Sequence, residues 1–260
     1  ISIDGNGDLL QLKQRSGIIA YGTLHCLPLV FPVLIYHLKQ VVKFKYKLFF
    51  TFILMLSSYL LLNSGTTTPI ILSLFGVVLA LVISKNNKRN FLVVFLLMLI
   101  YFLFTSNTLL IAMLDLVLPY FSGSAVYNKI NDIQDLLKYG EVSGQIGNRE
   151  ELYNVSWETF FENPIMGSSL LKDGGGHAYF IDKLAYLGLL GTIPLFLFFY
   201  FQFKVIYVLL NSNVKPYYLL SILLFILLGF SKNLGGFTYW FFMFFMIPGL
   251  SVYSFMDNKK

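Results

Sequence analysis

The chain has 260 residues, of which 57% are hydrophobic and only 12% are charged. Because soluble domains carry about a quarter charged residues, this composition excludes an ordinary soluble domain and indicates a helical membrane protein. The formal net charge of +6 does not indicate a nucleic-acid partner, since the basic residues fall in short loops between apolar runs. Cys26 is the single cysteine, which excludes an intrachain disulfide and a cysteine-based metal site.

Several apolar runs approach or exceed the length of about 20 residues that a helix needs to cross a bilayer. The seven candidate spans lie at 17–37, 44–62, 67–84, 91–113, 180–203, 216–231 and 236–255. The sequence therefore predicts an all-α, polytopic transmembrane helix bundle, with four spans in residues 1–113 and three in residues 180–260. Nothing near Ile1 resembles a cleavable signal peptide or a start methionine, so we expect a partial chain that lacks earlier spans.

The loops between the predicted spans differ in charge. One alternate set contains eleven basic residues and a single acid, Asp257. The basic residues are Lys39, Lys43, Lys45, Lys47, Lys85, Lys88, Arg89, Lys204, Lys215, Lys259 and Lys260. Because positively charged loops stay in the cytoplasm, residues 114–179 are predicted to form one long extracytoplasmic loop.

The long loop contains a predicted short amphipathic helix. Asn148 is a suitable N-cap, with a glutamate in the capping-box position three residues later. Aromatic and apolar residues, among them Trp157, then recur at helical spacing until Asn163 and Pro164 end the run. Such a helix lies in the headgroup region or packs over the bundle as an ordinary loop helix, and both arrangements place Arg149 near lipid headgroups.

Three glycines lie between Lys172-Asp173 and His177. The backbone N–H groups of Gly175 and Gly176 could turn toward a bound anion, which would make both residues substrate-binding. The alternative is a hinge into the next helix, which glycines alone favour. Lys172 and His177 at the two ends of the run favour the anion.

Ten residues separate His177 from Gly188, and Gly191 and Thr192 follow. If this stretch is one helix, eleven residues make close to three turns, so His177 and Gly188 share a face. Gly191 and Thr192 fall within about a quarter-turn of that face. Small residues at these positions predict a helix-packing motif at which a neighbouring helix approaches closely.

Asp182 and Lys183 lie at the predicted membrane boundary and are interpreted as interfacial anchors. Asp182 is about 140° around the helix from His177, so no direct partnership between them is expected. The outer side has no Asp-x-Asp pair, and we therefore expect no metal ion and no other cofactor.

The order of the motifs in residues 145–195 resembles the O-antigen polymerase and ligase family (Wzy-type). The motifs are Arg149-Glu-Glu-Leu, then Phe161-Glu-Asn-Pro-Ile-Met-Gly167, then His177-x10-Gly-x-x-Gly-Thr192. In that family an arginine begins an external helix that carries a tryptophan, an Asn-Pro-hydrophobic-x-Gly turn follows, and the histidine motif comes last. The resemblance extends more loosely to Leu62–Thr66 and Arg15–Gly17.

Two positions depart from the family pattern. Ala178 stands where members often carry an asparagine, which removes a hydrogen-bond partner of the site. Thr66 and Thr67 stand where an arginine is common, which leaves fewer phosphate ligands.

The resemblance implies a glycosyltransferase that polymerises undecaprenyl-diphosphate-linked oligosaccharide repeat units into O-antigen, capsule or exopolysaccharide. It would act at the outer face of the bacterial cytoplasmic membrane. Arg149 and His177 are the implied catalytic residues: the arginine would bind the diphosphate, and the histidine would bind phosphate or act as the base. Arg15 and Lys172 are weaker phosphate candidates, and Trp157 is a candidate substrate contact.

Two other functions stay open. An O-antigen ligase of the same family would use the same donor and leaving group and transfer finished polymer to another acceptor. A lipid-linked oligosaccharide flippase or other transporter would show polar residues in several spans, and here polarity concentrates in one loop. The expected partners are the lipid-linked donor and acceptor and the bilayer, with a chain-length regulator as a further candidate.

Overall fold

A computed structural model describes residues 21–41, 43–62, 66–83, 114–116, 118–122, 127, 130–131, 133–135, 144–168, 175–176, 178–234 and 237–257. These residues contain helices and no strand, which confirms the predicted all-α class for the described part of the chain. The predicted span at 91–113 and the candidate residues Arg15, Lys172 and His177 lie outside it. The division into 1–113, 114–179 and 180–260 stays a prediction.

The described helices overlap six of the seven predicted spans, and the longest of them ends six residues after its predicted end at 203. They are α1 (Tyr21–Gln40), α2 (Phe44–Leu62), α3 (Thr67–Val82), α4 (Gly144–Glu162), α5 (Tyr179–Leu209), α6 (Lys215–Ser231), α7 (Phe237–Phe241) and α8 (Ile247–Asp257). A 3-10 turn covers Leu118–Phe121, and a π-helical segment, Phe242–Met246, joins α7 to α8. By length and composition α2 and α5 could cross a membrane, and α3, α6 and residues 237–252 form shorter apolar helices.

Helix α1 is the centre of the bundle. It packs against α2, α3, α6, α7 and α8, and Leu29, Val33 and Tyr36 are among its fully buried side chains. Large apolar side chains on α2 and α5, such as Phe52 and Leu190, are exposed. Helices that are apolar on all sides bury one side against neighbours and turn the other toward apolar surroundings.

Polar contacts fasten α1, α3 and α6 together at one end of the bundle. Lys39 Nζ donates to the carbonyl oxygens of Ala80 and Leu81, at 2.7 and 2.9 Å. The hydroxyl of Tyr217 donates to the carbonyl of Ile83 at 3.3 Å. The last carbonyls of a helix have no partner within the helix, so these two side chains satisfy the end of α3.

Helix α4 begins at Gly144, four residues before the predicted N-cap Asn148. The prediction that Asn148 is the N-cap is therefore wrong, since this residue lies inside the helix. Asparagine costs well under about 1 kcal/mol in a helix interior, so a suitable capping residue does not force a helix to begin there. The predicted end is confirmed, because α4 stops at Glu162, immediately before Asn163 and Pro164.

The amphipathic helix packs on α5 through small polar residues. Ser156 is fully buried and Thr159 nearly so, whereas Trp157 is 37% exposed and Phe161 71% exposed. The rings of Trp157 and Phe161 stack on each other with centroids 5.9 Å apart. Trp157 and Phe161 therefore point away from the helix that supports α4.

Candidate functional site

The Asn-Pro turn that follows α4 inserts into a break in α5. The break lies at Gly188, whose φ of 56° and ψ of −168° interrupt an otherwise helical backbone. The N–H groups of Leu189 and Leu190 donate to the carbonyls of Pro164 and Ile165, at 2.9 and 3.1 Å. In an unbroken helix these two N–H groups would bond to carbonyls four residues earlier, so the turn takes the place of one helical turn.

Two further hydrogen bonds reach carbonyls of the part of α5 that precedes the break. Ser168 N–H donates to the carbonyl of Ala185 at 2.9 Å. Across the break, the hydroxyl of Thr192 donates to the carbonyl of Lys183 at 3.1 Å. Because buried backbone groups without partners are costly, these bonds allow α5 to be broken inside a packed structure.

The small residues of the histidine motif pack differently from the expectation. Gly188 faces the turn at Gly167 and not a neighbouring helix. A Cβ on Gly191 would meet Leu187 of its own helix at 2.7 Å. The close helix–helix contact lies elsewhere: the ring of Phe180 packs directly against Gly229 of α6. A continuous helix from 177 to 192 is excluded because α5 begins at Tyr179 and breaks at Gly188.

The backbone before position 177 is held from two directions. Gly175 N–H donates to the hydroxyl of Ser156 on α4 at 2.8 Å. The side-chain amide of Asn233, which follows α6, donates to the carbonyl of Gly176 at 3.3 Å. Gly175 and Gly176, the glycine segment, are thus held between α4 and the residues that follow α6.

The backbone after position 177 is fixed in the same way. Ala178 is fully buried, and its carbonyl accepts the N–H of Asp182 at 2.8 Å, which closes the first turn of α5. Tyr179 N–H donates to the carbonyl of Lys232 at 3.2 Å. Residues on both sides of His177 are therefore held by α4, by α5 and by the segment after α6.

Ser156 and Asp182 form a buried polar contact between α4 and α5. Ser156 is 0% exposed and Asp182 is 4% exposed. The Ser156 hydroxyl lies 2.7 Å from Asp182 Oδ1, to which it donates. The interpretation of Asp182 as an interfacial anchor is therefore wrong, because its side chain is enclosed by protein and not extended toward headgroups.

Gly175 differs from the anion-binding expectation, whereas the anion-binding role of Gly176 stays a prediction. The N–H of Gly175 is directed at Ser156, and a Cβ there would collide with the carbonyl of Leu152. Gly176 has a φ of 73° with open space around its Cα, so glycine is favoured there by conformation. The close contact of Gly175 with α4 and the positive φ of Gly176 agree with the other interpretation, in which the glycines form a hinge into the next helix.

Position 149 lies on the face of α4 that meets this segment. Residues 144–150 form the first turns of the helix. Positions 149 and 156 are seven residues apart, so they lie within about 20° of each other around the helix and about 10 Å apart along it. Position 149 is thus on the same side of α4 as Ser156, the residue that contacts Gly175.

Two further side chains border this region. Trp157 remains a predicted substrate contact, partly exposed beside Phe160 and Phe161. Lys183 Nζ lies over the rings of Tyr179 and Tyr186, 5.5 and 5.9 Å from their centroids. An ammonium group stacked on aromatic rings agrees with the predicted anchoring role of Lys183.

The model of one protein family, described as O-antigen ligase, matches residues 50–196, which is more than half of the chain. The chain belongs to the O-antigen ligase family. Comparisons with curated proteins and with solved structures found no match. The matched segment begins in α2 and ends in α5, so it contains the Arg149 helix, the inserted turn and the complete histidine motif.

Membership in the O-antigen ligase family confirms the resemblance read from the motifs. The family consists of membrane enzymes of glycosyltransferase type, the ligases and polymerases, and the apolar helices α2 and α5 agree with a membrane protein. Within the described residues no three His, Cys, Asp or Glu side chains converge, and a metal-independent reaction stays a prediction.

Three residues that hold the candidate site were not assigned to it from the sequence: Ser156, Asn233 and Asp182, which was interpreted as an anchor. Ser156 could have been found, because it shares a helical face with Arg149. The sequence pattern gives no comparable indication for Asp182 or Asn233, since both act through contacts between segments far apart in the chain.

Proposed function

We propose that this chain is an integral-membrane glycosyltransferase that polymerises undecaprenyl-diphosphate-linked oligosaccharide repeat units. The product would be O-antigen, capsule or another exopolysaccharide, made at the outer face of the bacterial cytoplasmic membrane. Family membership supports the enzyme class and a lipid-linked oligosaccharide substrate. The choice of polymerisation and the outer location rest on the motif order and on the loop charges.

The proposed site rests on one hydrogen bond between α4 and the glycine segment. The hydrogen bond from Gly175 N–H to Ser156 Oγ docks the Arg149 face of α4 against the segment that leads into His177. The contact joins the helix that contains position 149 to Gly175, which lies two positions before His177 in the chain. This contact supports the assignment of Arg149 and His177 to one active site.

The proposed reaction forms one glycosidic bond and breaks another. The acceptor hydroxyl oxygen attacks the anomeric carbon of the donor sugar, and the bond from that carbon to the diphosphate breaks. The electron pair leaves with the undecaprenyl diphosphate, and the hydroxyl proton passes to a base. Arg149 would stabilise the diphosphate charge with paired N–H donors, and Arg15 and Lys172 remain weaker phosphate ligands.

His177 fits two roles in this reaction. Its unperturbed pKa lies near 6.5, so the neutral ring could accept the acceptor's proton and the charged ring could bind phosphate. The substitution His177→Gln separates the two roles, because glutamine can still donate a hydrogen bond to phosphate and cannot serve as a base at neutral pH.

The break in α5 supports the location of this site near the membrane surface. From Leu189 to Leu209 the helix has 21 residues, which cover about 31 Å at 1.5 Å per residue. This length matches the hydrocarbon core of about 30 Å. On this basis the part of α5 that precedes the break, including Asp182 and Lys183, would lie in the outer interface.

An O-antigen ligase is the second candidate. The description of the matching family model favours it, and the ligase would use the same donor and leaving group. The difference lies in the acceptor, which for a ligase is a different molecule from the lipid-linked repeat unit. A chain-length regulator would be a partner of the polymerase.

The deciding experiment is a size profile of surface glycan from a strain that lacks the gene, with and without the wild-type copy. A polymerase predicts single repeat units on the final acceptor, with the ladder restored by the wild-type gene. Long polymer that remains on the carrier lipid identifies a ligase. An unchanged ladder contradicts both enzymes, and loss of all surface glycan with single repeats retained on the inner leaflet identifies a transporter.

A further inference from the structure

We propose that Asp182 is a positioning residue, which acts through Ser156 to hold the glycine segment that carries His177. The proposal rests on the glycosyl-transfer function proposed above. It assigns a defined task to a carboxyl group and a hydroxyl group at positions that the family motifs quoted from the sequence do not specify.

The hydroxyl of Ser156 connects Asp182 to the glycine segment. A serine hydroxyl has one hydrogen to donate and can accept at its lone pairs. Its 2.7 Å contact with Asp182 Oδ1 is shorter than its 3.3 Å contact with the carbonyl of Leu152, so the carboxyl oxygen is the preferred acceptor. Donation to Asp182 orients the lone pairs of Ser156 Oγ, one of which accepts the N–H of Gly175 at 2.8 Å.

The contact is protected from water. Ser156 is fully buried and Asp182 is 4% exposed, so solvent does not compete with their hydrogen bond. The backbone of Gly175 lies against the carbonyl of Leu152, one turn before Ser156. A hydrogen bond in a buried site fixes its partners more firmly than one in water.

Asp182 also holds the segment from its other side. Its own N–H donates to the carbonyl of Ala178 at 2.8 Å. The side chain of this one residue thus reaches Gly175 through Ser156, and its backbone binds Ala178. Because Gly175 and Ala178 enclose Gly176 and His177 in the chain, Asp182 constrains both ends of this short segment.

The expected phenotype follows from the cost of misplacing a reacting group. Ser156→Ala removes the acceptor for Gly175 N–H, and Asp182→Ala removes the group that orients Ser156. A displacement of about 1 Å in an active site can reduce the rate by about 100-fold. We therefore expect each variant to lower the rate of glycan synthesis per molecule of enzyme by about 10- to 100-fold.

A conservative variant separates positioning from chemistry. Asp182→Asn keeps an oxygen that accepts from Ser156 but loses the ability to take up a proton. Positioning predicts that Asp182→Asn stays within a few-fold of wild type. If Asp182→Asn is as inactive as His177→Ala, the carboxylate takes part in the reaction itself and the positioning role is overturned.

Double substitution supplies a second readout. If Ser156 and Asp182 act through one chain of hydrogen bonds, the double variant Ser156→Ala/Asp182→Ala is no slower than the slower single variant. Rate losses that multiply would show two independent roles and overturn the proposal. Ser221→Ala is the matched control, since Ser221 is also fully buried and donates only to its own helix, at the carbonyl of Tyr217.

The measurement uses the gene in its own host. Each allele is placed at the chromosomal locus with an epitope tag, and the rate of glycan ladder synthesis after pulse labelling is divided by the amount of protein in the membrane. Wild-type rates per molecule in Ser156→Ala and Asp182→Ala would overturn the positioning role alone. A normal ladder in the complete absence of the gene would instead overturn the proposed function.

Discussion

Gly167 and Gly188 meet backbone to backbone, and a Cβ on either residue would lie 2.5 Å from the peptide nitrogen of the other. Both have left-handed backbone conformations, with φ of 73° and 56°. The turn of the Asn-Pro motif and the glycine of the histidine motif are therefore two halves of one contact. Their shared presence in the family pattern has a steric explanation.

We predict that Gly188→Ala destabilises the protein. An alanine with this positive φ and a ψ near 180° costs about 1–3 kcal/mol before any collision, and the added Cβ also collides with the carbonyl of Ile165. The measurement is the thermal unfolding midpoint of purified protein in detergent. Gly249→Ala is the control, because a Cβ there meets nothing within 4 Å and we expect no loss. Equal midpoints for the two variants would contradict the interlocked turn.

The hydroxyl of Thr192 is expected to stabilise the break in α5. Thr192→Val keeps the shape of the side chain but removes the donor to the carbonyl of Lys183, at a cost of about 1–3 kcal/mol. Hydrogen exchange of backbone amides near the break should accelerate in this variant. Thr192→Ser retains a hydroxyl and should exchange nearly as slowly as wild type. Exchange in Thr192→Val as slow as in wild type would contradict the role of this hydroxyl.

Arg149 is expected to require paired donors and not merely positive charge. Arg149→Lys keeps the charge but loses the planar pair of N–H groups that matches two phosphate oxygens. We predict that Arg149→Ala abolishes polymer and that Arg149→Lys restores only a small fraction of it. Lys183→Ala should have a much smaller effect, since its ammonium group lies over tyrosine rings. Full polymer in Arg149→Ala would remove this residue from the site.

The exposed aromatic side of α4 is expected to lie in the headgroup region. Trp157 and Trp240 are the two tryptophans of the chain, so Trp240→Phe leaves Trp157 as the single tryptophan, which can be excited selectively over the tyrosines. In vesicles we predict strong quenching of Trp157 by lipids brominated near the glycerol backbone and weak quenching by lipids brominated at the chain ends. Absence of quenching by both would favour a helix held above the membrane.

The sequence predicted the apolar helices well, because their long apolar runs are a local property. The predicted run at 44–62 and α2 coincide, and α6 differs from its prediction by one residue. The start of α4 was missed because Asn148 has a capping preference worth only about 1 kcal/mol, which neighbouring residues outweigh.

The sequence predicted the motifs of the candidate site, but it did not predict how the residues of these motifs pack. Helical periodicity assumes a continuous helix, and the conformation of Gly188 interrupts α5 within the motif. Asp182 was misjudged because its burial comes from α4, whose docking on α5 is a contact between distant segments. Residues whose role depends on such contacts require the structure.

The most direct test of the account compares a chromosomal His177→Ala allele with wild type, by surface glycan size and by analysis of carrier lipid. We predict that the mutant protein inserts at normal levels, that the surface glycan ladder disappears, and that undecaprenyl-diphosphate-linked repeat units accumulate. A wild-type ladder and normal carrier-lipid levels in the His177→Ala strain would contradict the assignment of the active site.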